Sequence, residues 1–178
     1  MQASGPKTLT VDTQTLFQSP THGVLSFTEV IKRVGQYINC ESLDGIPSRK
    51  YHYRIIVGTD SSPRNGEHTE YITALVIHRV GLGGIYFWQK TTTPRAVTLR
   101  ERIYKEAMLS IDFAKLLVES LVAANLLDLD LEIHVDVGKV GQTRDIITEV
   151  VGMVRGNGFE VKTKPESFGA SKVADRHT

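Results

Sequence analysis

The apolar positions of this chain follow two periods, and the period changes several times along it. In SFTEVIKRVGQYI, Phe27, Val30, Ile31, Val34 and Ile38 recur at helical spacing. Ser26 and Glu29 stand in the arrangement of a capping box. This spacing predicts a helix over 27–40. The period then shortens. YHYRIIVGTD, YITALVIHRV and IYFWQKTTT are rich in β-branched and aromatic residues. SSPRNGEH and GLGG separate them as turns, and Pro94 ends the third. They predict an antiparallel meander. The first run is apolar on both faces near its end, as in a central strand.

Helical spacing returns in TLRERIYKEAMLSIDFAKLLVESLVAANL. LEIHVDVG reads as a fourth strand. Thr143 reads as the N-cap of the helix RDIITEVVGMVR, which Gly156 and Gly158 close. FEVKTK is a fifth strand, and ASKVADRHT starts a short last helix. Residues 1–24 hold Pro, Gly, Ser and Thr with little periodicity and read as a loose or edge-packed arm. The predicted order is a helix followed by β-β-β-α-β-α-β-α. It implies one α/β domain over 25–178: a mixed five-stranded sheet whose first three strands form the meander, with helices on both faces and an extra N-terminal helix.

Bulk composition narrows the classes. The chain has 178 residues, 40 % of them apolar, enough for one sizeable core. Net charge is +1, so no strong global field announces a nucleic-acid or membrane partner. Cys40 is the only cysteine, which excludes an internal disulfide or a thiolate metal cage and suits a core residue of a cytoplasmic protein. No apolar run approaches the roughly 20 residues of a membrane span. The N-terminus lacks the apolar stretch of a secretory signal.

The candidate chemistry lies in the acids. Asp60 closes the first predicted strand of the meander and Asp136 the fourth strand. Ligands of α/β sheets bind outside the carboxyl ends of strands. Two carboxylates brought there would repel each other, and Mg²⁺ or Mn²⁺ would relieve that repulsion. Each acid taken singly also fits a cap on the turn that follows. On the long helix, Leu99, Ile103, Ala107, Ile111, Ala114, Leu117 and Leu121 form one stripe. Glu106 lies about 70° from the centre of that stripe and Glu101, Asp112 and Glu119 about 150° or more away, at ~100° per residue. Glu106 is thus the acid this helix can aim along the sheet; a solvated residue paired with Arg102 fits the spacing equally. Asp175, in the closing helix, would be a fourth carboxylate from a fourth element.

These residues resemble the ribonuclease H fold, in which an acid on the first strand, one in the first long helix, one ending the fourth strand and one in the last helix recur in this order. KEAMLSIDFAKLL is similar to its first helix and GTDSS to its first strand. Further details resemble the YkuK-type ribonuclease H-like proteins: Asp136-Val137-Gly138, Gly141-Gln142-Thr143, Lys164-Pro165, and Ala170-Ser171-Lys172-Val173-Ala174-Asp175. The likeness runs over roughly 22–178. It implies a nuclease with two Mg²⁺ or Mn²⁺ ions about 3.5–4 Å apart on a phosphodiester. Asp60 would bridge both ions, Glu106 and Asp136 would hold one, and Asp175 the other. Ser61 and Ser62 would orient Asp60 or a substrate phosphate. The implied partner is nucleic acid: RNA, an RNA/DNA hybrid or structured DNA. A non-catalytic module binding nucleic acid or a protein fits the same fold. Sugar kinases and actin-like ATPases share the topology but use two such domains, and this chain supplies one.

Several polar residues remain as weaker candidates. His134 shares a strand face with Asp136 by alternation, as a group behind the acids or as a packed strand histidine. His177 follows Asp175 by two residues, as a proton shuttle or as a frayed end. Lys90 leads a polar, basic exit from the third meander strand that either grips a phosphate backbone or is a solvated edge. Trp88 and Tyr86 read as packing rather than a base-stacking platform. Lys164 belongs to a cation-rich C-terminal third, and Thr143 opens a helix whose N-terminus suits a phosphate. VGKVGQTRD is no Walker loop, because its lysine does not directly precede the threonine.

Overall fold

The computed structural model describes residues 15–39, 51–126, 129–137 and 144–177. Cys40, Gly138, Gly141, Gln142 and Thr143, which the sequence singled out, lie outside the described residues. The elements are β1 (Leu16–Ser19), β2 (Gly23–Ser26), α1 (Phe27–Asn39), β3 (Tyr53–Arg64), β4 (His68–Arg79), β5 (Gly83–Pro94), α2 (Leu99–Ala123), β6 (Asp130–His134), α3 (Arg144–Gly156), β7 (Glu160–Lys162) and α4 (Phe168–Asp175).

The strands form one mixed sheet in the order β2-β1-β5-β4-β3-β6-β7. β3 pairs antiparallel with β4 and parallel with β6, and β6 is parallel to β7. The class matches the sequence expectation, but the sheet has seven strands, not five. The two additional strands come from the segment read as an arm: residues 16–26 form a hairpin whose β1 joins the sheet where Gln18 meets Trp88. Each is four residues long, and Leu16 and Val24 point their side chains outward. Strands so short, with apolar residues on the wet side, carry no legible alternation.

β3 and β4 also reach further than the sequence implied, through most of the stretch read as a turn. They pair from Tyr53↔Arg79 to Arg64↔His68, leaving Asn65, Gly66 and Glu67 to reverse the chain. Asn65 and Gly66 both have positive φ, at 50° and 74°. That is the backbone an Asn-Gly hairpin turn requires.

Helix starts follow local chemistry. At α1, the Ser26 N–H donates to Glu29 Oε2 at 2.7 Å and the Glu29 N–H to Ser26 Oγ at 3.3 Å, completing the capping box. At α2, Thr98 Oγ1 accepts the Glu101 N–H at 3.0 Å, and Glu101 Oε2 accepts the Val97 N–H at 2.8 Å. Glu101 is therefore a capping acid at the exposed helix start.

The two sheet faces bury unequal cores. Val57, Leu75 and Phe87 on one face pack with α1, α2 and α3 through residues such as Val30, Ala114 and Val150. On the other face Ile56, Ile72 and Ala74 meet the short α4 through Ala174, with Val76, Trp88 and Val173 alongside. No helix among the described residues is long and apolar enough to cross a membrane.

Candidate functional site

The parallel pairing of β3 with β6 stops at Gly58↔His134, while β3 continues to Arg64 on β4. Asp60 therefore does not close its strand. It lies two residues past the last β3–β6 pair, where one edge of β3 loses its partner and the sheet opens. Asp136 likewise follows the end of β6 by two residues rather than ending it. The chain around it is tied to the stretch after β7: the Val135 N–H donates to the Lys162 carbonyl at 3.0 Å, and the Lys164 N–H to the Val137 carbonyl at 2.9 Å. Asp175, the last residue of α4, comes over the face that Ala174 covers.

Asp60, Asp136 and Asp175 line one cleft of about 530 Å³, together with Lys164 and Lys172. Burial raises the Asp60 carboxyl above the usual aspartate range, and the charges of Asp136 and Asp175 push it the same way, against a hydrogen bond from the Ser61 N–H. Lys164 Nζ lies 2.9 Å from Asp136 Oδ1.

Glu106 reaches the same strand from the opposite face. The stripe of α2 turns it inward, and it is only 5 % exposed, so it is not a solvated shoulder residue. Ser61 Oγ donates to Glu106 Oε1 at 2.5 Å. Burial pushes the Glu106 pKa to about 8; Asp60 and Asp136 add to the rise and the Ser61 bond opposes it.

The hydroxyls around Asp60 divide by alternation. Thr59 and Ser61 face α2, where Ser110 Oγ donates to Thr59 Oγ1 at 2.9 Å and Thr59 Oγ1 meets Thr73 Oγ1 at 3.0 Å. Ser62 shares the face of Asp60 and is half-buried. Thr59, Thr73 and Ser110 are not among the site residues expected from the sequence. The signal available was Ser110 one turn after Glu106, opposite hydroxyls on alternate positions of β3.

The remaining candidates take other positions. His134 is buried on the face of Ile56, with Nε2 3.1 Å from Glu132 Oε2, and does not line the cleft. His177 is not frayed: its ring stacks on Trp88 at 4.4 Å and 16°, closing α4 against β5. Trp88 thus acts in packing. Lys90 Nζ lies 2.7 Å from Glu70 Oε1, and Arg64 holds the other oxygen. Glu70, which the sequence did not single out, is buried, and these cations outweigh its desolvation and lower its pKa.

The donors around the cleft are carboxylate oxygens, the chemistry of a hard divalent cation. A bound dication would offset the repulsion that Asp60 feels and would draw the proton from Glu106. Among the described residues no group of three or more His, Cys, Asp or Glu side chains yet converges on one ion position. The reason lies in the strand: Asp60 and Ser61, with Glu106 on it, point to opposite faces of β3, so the acids meet only at the sheet opening.

Comparison with known proteins gives the family of the chain. The family model for ribonuclease H-like proteins matches residues 29–178. The uncharacterized protein YkuK of Bacillus subtilis (strain 168) is 30 % identical over 174 residues, which cover 92 % of this chain and 96 % of that protein. No solved structure matches.

Proposed function

The chain belongs to the ribonuclease H-like family, and from that premise we propose that it is a divalent-metal-dependent nuclease hydrolysing nucleic-acid phosphodiester bonds. One observation carries the reading: three carboxylates from β3, the end of β6 and α4 share a cleft at the sheet opening, with a buried fourth, Glu106, behind Asp60. Asp60, Glu106, Asp136 and Asp175 are the ligands in this reading, for Mg²⁺ or Mn²⁺. Ions held by these carboxylates would supply a nucleophilic water and charge stabilisation for the departing oxygen. Asp60 is held by the interior strand β3, and its Ser61 N–H bond fixes the carboxylate. Ser61 holds Glu106 for the same purpose. Lys164 and Lys172 put positive charge on the cleft wall for a phosphate backbone. Substrates of this class are RNA, RNA/DNA hybrid and structured DNA.

A non-catalytic nucleic-acid-binding module is the second reading. The observation favouring it is that the acids do not converge and Lys164 already neutralises Asp136. A cleavage panel separates the two: single-stranded RNA, RNA/DNA hybrid and branched DNA, each with Mg²⁺, Mn²⁺ or chelator. Metal-dependent cleavage of any of these supports the nuclease. Metal-independent binding without cleavage supports the module.

A further inference from the structure

Lys164 occupies the position where the carboxylate cluster needs positive charge. Its ammonium lies 2.9 Å from Asp136 Oδ1, and it lines the cleft that Asp136 shares with Asp60 and Asp175. Its backbone N–H donates to the Val137 carbonyl at 2.9 Å, so the segments carrying Lys164 and Asp136 are tied together one residue away from the ion pair. An ammonium so placed neutralises a carboxylate that a cation would otherwise neutralise.

We propose that Lys164 is a tethered counter-ion that competes with divalent metal for Asp136, so that metal loading of the cleft requires the Lys164–Asp136 ion pair to open. This rests on the metal-dependent reading above. The competition is graded rather than absolute. The Lys164 side chain is 59 % exposed, so water reaches the ammonium and limits the strength of the pair, although the Asp136 Oδ1 atom it meets is itself buried.

The test is a Mn²⁺ titration of the full chain, followed by calorimetry and by the loss of free-ion paramagnetic resonance signal. Lys164→Met is compared with wild type and with Lys172→Met, which removes the other cation lining the cleft. Lys164→Met should tighten Mn²⁺ binding roughly fivefold, the equivalent of an exposed ion pair. Lys172→Met should change it by less than about twofold, because salt screens a charge that does not sit on the ligand oxygen. Equal tightening by both variants would assign the effect to net charge and overturn the competition. An unchanged Lys164→Met, with wild type binding Mn²⁺, would overturn it and leave the metal site standing. Binding in none of the chains would overturn the metal site together with it.

Discussion

Ser61 donates its hydroxyl hydrogen to Glu106 across 45 positions of sequence, joining β3 to the long helix at 2.5 Å. Its neighbour Asp60 faces the other way, into the cleft. A single peptide unit therefore separates the two sides from which acids approach the site.

The protonation of Glu106 gives stability a pH dependence of defined sign. Its pKa is raised from 4.5 to about 8, so between these values the folded chain holds a proton that the unfolded chain has lost. That contribution is fully present below pH 4.5 and is lost as pH rises through 8. In chelator, the melting temperature should fall between pH 6 and pH 9, by the equivalent of a few kcal/mol at about 1.4 per pH unit. Glu106→Gln should flatten the fall. A profile as steep in the variant as in wild type would place the titrating group elsewhere.

Ser61 and Ser62 adjoin in sequence and should differ in cost. Ser61→Ala leaves the buried Glu106 without its donor and should destabilise by about 1–3 kcal/mol. Ser62→Ala, at a half-buried position, should change stability by less than about 0.5 kcal/mol. Urea denaturation of both variants checks the contrast, and equal costs would contradict it.

Asp60→Asn tests the proposed site from two sides. It removes a carboxylate repelled by Asp136 and Asp175, so in chelator the variant should be as stable as wild type or slightly more so. In Mn²⁺ it should lose any metal-dependent cleavage and the metal-induced rise in melting temperature. Cleavage at the wild-type rate would exclude the two-metal mechanism.

The small core under α4 positions Asp175. Ala174 is fully buried in the cluster with Ile56, Ile72 and Ala74. Ala174→Leu overfills that space and should cost about 1–3 kcal/mol. Because α4 carries Asp175, the same change should weaken Mn²⁺ binding while the far-ultraviolet circular dichroism of the larger core stays unchanged. Wild-type metal affinity in this variant would show that α4 does not set the ligand position.

Lys90 answers a separate question. Its pairing with buried Glu70 predicts that Lys90→Met destabilises by about 1 kcal/mol, discounted for its partly exposed ammonium. Oligonucleotide affinity at physiological salt should be unchanged. Weaker binding without a stability change would instead make it a phosphate contact.

The helices, their capping pairs Ser26–Glu29 and Thr98–Glu101, and the three long meander strands are set by interactions within about one helical turn or one alternation, and these are written in the order of residues. The inward aim of Glu106 was likewise legible as an angle on its stripe. The hairpin at 16–26 was not legible, because four-residue strands become strands only when β5 offers an edge. Nor was the opening beside Asp60, since where β6 stops pairing depends on the neighbour rather than on β3 itself. Burial and charge are properties of surroundings. Only the folded chain brings Asp60, Asp136 and Asp175 to one cleft, seals Glu106 behind Ser61 and sets Lys164 on Asp136. The desolvation and repulsion that shift these groups do not exist until segments distant in sequence meet.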